Sequence, residues 1–277
     1  MAYSTAWNLL LDLRALDWST MEGFRAELCG TTIEIAAGGE WRVERRLPRE
    51  EAALLDVLLP LVVRPGGLVI GQLGQSLDGR IATEGGDSWY INGEPARAHL
   101  HRLRALVDAV LVGAGTASED RPALTVRHVF GPDPVPVILD PRGRVATTGP
   151  LFERSSGQPP VLHLVGPACD LPPAPFGVER LVVPTSNDGQ VAPQWVIQAL
   201  AERGLRRVLV EGGGLTVSRF VDADCLDHLH LLIAPLLIGS GRPGLVLPPI
   251  QQLSAARRPP MRSFPLGDEL LVDLRLR

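Results

Sequence analysis

Three stretches of this chain place glycine beside acidic and basic residues at the ends of apolar runs, where open α/β sheets bind phosphorylated ligands. In residues 208–216 an apolar run reaches Glu211 and then Gly212, Gly213 and Gly214, followed by Leu215 and Thr216. Glycines let backbone amides approach a ligand closely, and a helix starting there offers unpaired N–H groups to a pyrophosphate. A second apolar run ends in Gly113-Ala114-Gly115-Thr116, which would turn Thr116 toward a ligand. The loop after it carries Asp120 and Arg127, a proton donor in the company of a phosphate-binding cation. Its bland reading is a solvated turn in which Asp120 caps Arg121. A third stretch, residues 71–82, runs as a strand into an Asp78-Gly79 turn, or is no more than a tight turn with Asp78 bonding its own backbone.

Composition narrows the chemistry. The chain has 277 residues and a formal charge of −4, so no overall positive field draws a polyanion, and nucleic acid is not expected as a partner. All 27 basic residues are arginine. Schiff-base chemistry and lysine-dependent phosphate loops are thereby excluded, and phosphate must meet arginine or backbone amides. Cys29, Cys169 and Cys225 are far apart and form no CxxC pair, which fits a reducing cytoplasm and no thiolate metal site. His99 with His101, and His228 with His230, have a spacing that puts two imidazoles on one face of a strand. The first pair falls on an expected helix and the second lacks an identifiable third ligand, so no metal is expected. Residues 228–231 read instead as a half-exposed strand near a dimer surface. No apolar stretch has the length or the basic lead of a membrane span or secretory signal.

The elements that must hold these groups follow from periodicity. Residues 1–65 contain three of the five tryptophans and one helical pattern after Pro48-Arg49-Glu50-Glu51; Arg64-Pro65-Gly66-Gly67 marks a boundary. Nothing in that extension points to chemistry. From residue 66 to 277, short apolar runs alternate with helical patterns, which predicts an α/β domain with a mainly parallel sheet. Strands are expected at 68–74, 109–113, 135–139, 161–165, 180–183, 207–211, 228–234 and 269–275. Helices are expected from Glu94-Pro95, with Leu100, Leu103 and Leu106 on one face, and over 193–203.

Five motifs in this order resemble a known family, the reductase domain of bacterial bifunctional riboflavin-biosynthesis proteins and its stand-alone archaeal and fungal relatives. They are Ser76-Leu77-Asp78-Gly79-Arg80, Asp87-Ser88-Trp89-Tyr90, Leu103-Arg104-Ala105, the run from Gly115 to Arg127, and Val210-Glu211-Gly212-Gly213-Gly214-Leu215. The resemblance covers about residues 68–277. It implies a dihydrofolate-reductase-like, three-layer α/β/α fold with an antiparallel sheet edge. It also implies NADPH as the hydride donor, with cofactor contacts at Gly74, Tyr90, Gly115, Thr116, Asp120, Gly212, Gly213, Gly214, Leu215 and Thr216. A phosphorylated pyrimidine riboside would meet Ser88, Arg104, Leu124, Arg127 and Glu211, two arginines gripping its phosphate, while Arg142 or Arg144 would meet the cofactor 2′-phosphate.

The implied reaction adds hydride to C1′ of a 5-amino-6-(5-phosphoribosylamino)pyrimidine and opens the ribose, with Asp120 as proton source and Glu211 beside the reacting centre. The chain departs from the family in carrying Gln72 where a lysine is usual, Tyr90 for tryptophan, Arg121 for aspartate and Gly214 for proline. No HxE or PCxxC zinc signature precedes residue 68, so the preceding deamination is not expected. A cytoplasmic homodimer is the expected state. The alternatives are reduction of a dihydropterin or specialised metabolite on the same fold, or a catalytically silent nucleotide-binding protein.

Overall fold

The computed structural model describes residues 1–89 and 91–277; Tyr90, an expected cofactor contact, lies outside the described residues. The chain divides into two compact units, Met1–Leu68 and Val69–Arg277.

The first unit has more structure than its sequence led us to expect. Beside α2 (Arg49–Val62) it contains α1 (Ala6–Arg14) and a sheet of β1 (Ala2–Tyr3), β2 (Gly23–Leu28), β3 (Thr31–Ala36) and β4 (Trp41–Val43). Cys29 and Gly30 join β2 to β3 with φ of 50° and 73°, the mirror-image turn that suits the twist of a two-residue hairpin. Alternation in β3 buries Ile33 and Ile35, a period-2 signal too short to stand out beside the tryptophans.

The second unit is built on one sheet. Its strands are β5 (Leu68–Ser76), β7 (Ala109–Gly113), β8 (Val135–Asp140), β9 (Val161–Val165), β10 (Val178–Val182), β11 (Arg207–Glu211), β12 (His228–Ala234), β14 (Met261–Leu266) and β15 (Glu269–Arg275). They lie in the order β10-β9-β8-β7-β11-β5-β12-β15-β14. Pairing is parallel from β10 through β11 and between β5 and β12, then antiparallel at β15 and β14. This is the mixed α/β architecture expected, with its antiparallel edge. A small ribbon of β6 (Arg80–Thr83) and β13 (Gly241–Pro243) was not expected.

Successive strand residues face opposite layers. Leu73, Leu111, Val210 and Leu229 join a core with Val196 and Leu200 of α5 (Pro193–Ala201) and with Val217 and Phe220 of α6 (Gly214–Asp222). The other face meets α3 (Glu94–Leu106), where Leu103 and Leu106 are buried as the periodicity requires. That face also buries polar groups: Glu211, His228, His230, Asp140 and His163. The half-exposed strand expected at 228–231 is corrected accordingly, since His228, Leu229 and His230 are all buried.

Asp227 ties the ends of this unit together. Its Oδ2 accepts from the Val69 N–H at 2.7 Å, its own N–H donates to Val69 O at 2.7 Å, and Arg277 Nη2 donates to Oδ1 at 3.0 Å. Asp227→Ala would leave the buried Val69 N–H without an acceptor, and we expect it to cost about 1–3 kcal/mol in urea unfolding. A loss within about 0.5 kcal/mol, as for ordinary surface changes, would show that Asp227 is not an anchor.

Candidate active site

Because β7 and β11 pair in parallel, with Glu211 opposite Val112, their glycine-rich tips emerge side by side at one edge of the sheet. A crevice of about 880 Å³ opens there, toward the upper end of small-molecule sites. It runs across the strand tips, from Arg142 and Arg144 after β8, past Gly115 and Gly213, to Gly74 of β5 and Leu232 of β12.

Thr116 in α4 (Ala114–Glu119) clips the two tips together, its Oγ1 accepting from the Gly213 N–H at 2.8 Å. The glycines around it are there for close approach. A Cβ on Gly212, where φ is +93°, would sit 2.7 Å from Thr116 Oγ1, and one on Gly113 would sit 2.3 Å from Thr216 Oγ1. Gly214 is crowded by the protein's own Gly244 carbonyl at 1.9 Å from the added carbon, whereas Gly115 faces open space. In the first turn of α6 the Gly213 N–H is used by Thr116 and the Thr216 N–H by Gly213 O. Among the described residues this leaves the amides of Gly214 and Leu215 as donors to a ligand.

Deeper in the crevice, Arg104 and Glu211 form a bidentate ion pair, Nε to Oε1 and Nη2 to Oε2 both at 2.8 Å, with side chains only 7% and 6% exposed. Burial alone would lower the arginine pKa, but the facing Glu211 carboxylate reverses this and raises it, so the guanidinium stays charged. Arg104 Nη1 also donates to Thr125 O at 3.0 Å. The expectation of two arginines facing one phosphate is corrected here: Arg104 spends its fork on Glu211, and Arg127 is exposed and outside the crevice lining.

The stretch from Leu124 to Arg127 is held through its backbone instead. Besides Arg104, the Val126 N–H donates to Asp133 Oδ1 at 2.6 Å and the Arg127 N–H to His101 Nδ1 at 3.0 Å. Burial, then Arg104, His128 and Arg127, pushes the His101 pKa down to about 3, which keeps the imidazole neutral and able to accept. The result seats Leu124, at φ 53° and 1% exposed, in the crevice wall. A leucine in this left-handed region is strained by about 1–3 kcal/mol, a feature that clusters at functional sites. His101 and Asp133 carried no local signal beyond the placement of His101 one turn before Arg104 on α3.

Of the remaining expected residues, Ser88, Gly74 and Asp120 line the crevice, as do Asn92 and Arg242, which sequence reasoning missed. Asn92 Nδ2 donates to Leu232 O at 3.1 Å and to Glu269 Oε1 at 3.0 Å, and a Cβ on Gly74 would collide with its Oδ1. Asp120 is open to solvent on one side, yet burial, followed by Glu119 beside it, raises its pKa against the opposing Arg242. Arg242, not Arg127, is therefore the cation that matters to it; Arg242 also pairs with Glu119 at 2.6 Å on the rim. The turn bearing Arg142 and Arg144 is anchored by fully buried Asp140, whose Oδ2 accepts from Val145 N at 2.8 Å and contacts His163 Nε2 at 3.1 Å.

Comparison with known proteins gives a consistent result. Residues 68–266 match the RibD C-terminal domain family. The riboflavin biosynthesis protein RibD of Bacillus amyloliquefaciens is 36% identical over 219 residues, 76% of this chain and 56% of that protein. The 2,5-diamino-6-ribosylamino-4(3H)-pyrimidinone 5′-phosphate reductase of Methanothermobacter thermautotrophicus is 31% identical over 214 residues, 74% of this chain and 96% of that one. Among solved structures, a deaminase/reductase from Thermotoga maritima superposes with a TM-score of 0.63 at 28% identity, covering 82% of this chain and 61% of that one. This chain thus spans about half the length of the bacterial RibD relatives it matches.

The ion pair yields a sharp energetic expectation. Glu211→Gln alone should destabilise the protein by about 3–5 kcal/mol, because it strands a buried guanidinium, whereas Arg104→Met with Glu211→Leu should recover most of that loss. Urea unfolding of Arg104→Met and Glu211→Leu, singly and together, beside Glu211→Gln checks this. Additive losses would show that the two groups do not depend on one another.

Proposed function

The chain belongs to the RibD C-terminal domain family, and from this we propose that it reduces a phosphorylated ribosylaminopyrimidine in riboflavin biosynthesis, using NADPH. The observation that carries the reading is the pair of glycine-rich tips, at Gly115 and at Gly212–Gly214, lying side by side and open to one crevice with arginines at its far end.

The residues present suit a reduced dinucleotide. The amides of Gly214 and Leu215 at the α6 N-terminus would take its pyrophosphate, with Gly74, Gly115, Thr116, Gly212, Gly213 and Thr216 around it and Tyr90 as a further contact. Arg142 and Arg144, exposed on the Asp140 turn, would take the 2′-phosphate. NADPH, when bound, supplies the hydride that converts C1′ of the ribosylamino group to the ribityl methylene. The substrate would lie at the β5 and β12 end, against Ser88 and Leu124, with Glu211 held in place by Arg104. In this reading Arg104 acts through Glu211 and the 124–127 stretch rather than by gripping phosphate.

Asp120 is the proposed proton source, because its raised pKa keeps the acid form to a higher pH than an ordinary carboxyl. The alignment of hydride donor and acceptor is the protein's main contribution. We read the enzyme as a cytoplasmic homodimer, supported by three free thiols and by the edge strand β14 with Met261 exposed. No helix among the described residues is long and apolar enough to cross a membrane.

Titration with NADPH, followed by its fluorescence, should show submillimolar binding, and Arg142→Ala with Arg144→Ala should reduce preference for NADPH over NADH by about tenfold or more. Absence of NADPH binding would overturn the reading. Asp120→Asn should lower turnover on a phosphoribosylaminopyrimidine by about 10²–10⁴ and leave NADPH affinity within a few fold. Since only the protonated acid donates, wild-type activity should fall as pH rises through the Asp120 pKa, and the asparagine variant should lose that limb. Unchanged turnover in Asp120→Asn would remove it from this role, and oxidation of NADPH with dihydrofolate alone would overturn the pyrimidine assignment.

A further inference from the structure

From Gln72 at the crevice wall outward, the face of the sheet under α3 holds a polar row that the proposed reduction does not use. In register across four strands lie Gln72 of β5, His230 of β12, Asp273 of β15 and Arg262 of β14. His228, two residues before His230, shares its face. The expectation that this histidine pair lacks a third ligand is corrected by Asp273. Donor atoms of His228, His230 and Asp273 all lie within 4.8 Å of one another, and all three residues are buried.

We propose that His228, His230 and Asp273 form a binding site for a single divalent ion of the zinc class, which fastens the antiparallel edge strand β15 to β12. Asp273 Oδ1 is 2.8 Å from His228 Nδ1 and 3.5 Å from His230 Nε2. Two ligands of a tetrahedral zinc ion, each bonded at about 2.0–2.1 Å, stand about 3.3 Å apart, a spacing that lies between the two Asp273 distances. His230 Nε2 is the telling atom: it is buried with no hydrogen-bond partner among the described residues, and 3.5 Å to a carboxylate is too long to satisfy it.

The surroundings are those of a ligated set. His230 Nδ1 lies 2.9 Å from His99 Nε2, with the rings stacked, and Arg262 Nη2 donates to the second carboxylate oxygen of Asp273 at 2.6 Å. Outer partners of this kind fix the orientation of ligating imidazoles and carboxylates. Two imidazoles and one carboxylate favour zinc or its transition-metal neighbours over magnesium or calcium, which prefer oxygen throughout. Three protein ligands leave the fourth position to water.

The test uses tag-free, full-length protein freed of metal by a chelator and titrated with Co²⁺ and then Zn²⁺. We expect one Co²⁺ per chain with visible ligand-field bands and no thiolate charge-transfer band, displacement by Zn²⁺, and a higher Tm with Zn²⁺. His230→Gln and Asp273→Asn should each weaken Zn²⁺ binding by about 100-fold or more and abolish the rise in Tm. His228→Gln, at the less buried end of the trio, serves if those variants do not fold. Wild-type protein that binds less than one ion per chain at micromolar concentration overturns the proposal without recourse to any variant. So does binding that the folded variants retain, or a spectrum that reports thiolate ligands.

Discussion

A buried guanidinium must meet a carboxylate or it destabilises the fold, and in this protein that requirement organises the crevice. Arg104 satisfies Glu211 through two nitrogens and Thr125 O through the third. One side chain therefore joins α3, the tip of β11 and the stretch that seats Leu124 in the wall. Such a pair is not a generous source of stability, since its desolvation consumes most of the Coulomb attraction. What it provides is a fixed position for Glu211 at the crevice floor, directly before the glycine turn that leads to the Gly214 and Leu215 amides. The clip from Thr116 to the Gly213 amide does the same for the neighbouring strand tip.

With those tips clipped together, the charged groups at the ends of the crevice stand in distinct surroundings. Exposed Arg142 and Arg144 stand on a turn fixed from below by buried Asp140 and His163. Asp120, by contrast, lies beside Glu119 at the rim, where partial burial and a like charge favour its acid form. The two strand layers also part company in chemistry. One face is an apolar core against α5 and α6, and the other, under α3, carries nearly all the buried ionisable groups.

Much of this was legible in the sequence, for physical reasons that can be named. Strand β7 is a continuous apolar run, and β9 and β11 are apolar apart from His163, Arg207 and Glu211, because both of their faces are buried; α3 and α5 announce themselves with proline in the first turn. Edge strand β14 was missed because only one side of it is paired; residues 261–266 include Pro265 and are largely exposed. The glycine tips could be read locally, but the partners of site residues could not. Glu211 lies 107 residues from Arg104 and Asp273 lies 45 from His228, so a phosphate-binding arginine and an ion-paired one look alike until the fold brings them to their partners. The first unit was under-read for a different cause: its strands are short, and their alternation is interrupted by turns.

The central claim is that the tips of β7 and β11 and the turn after β8 form one dinucleotide cradle, and amide hydrogen exchange with and without NADPH addresses it most directly. The account predicts slowed exchange in all of residues 115–120, 141–145 and 212–216, the three segments that border the crevice together, with the 161–165 strand unaffected. Protection of only one of these segments, or of amides elsewhere in the chain with none here, would contradict it.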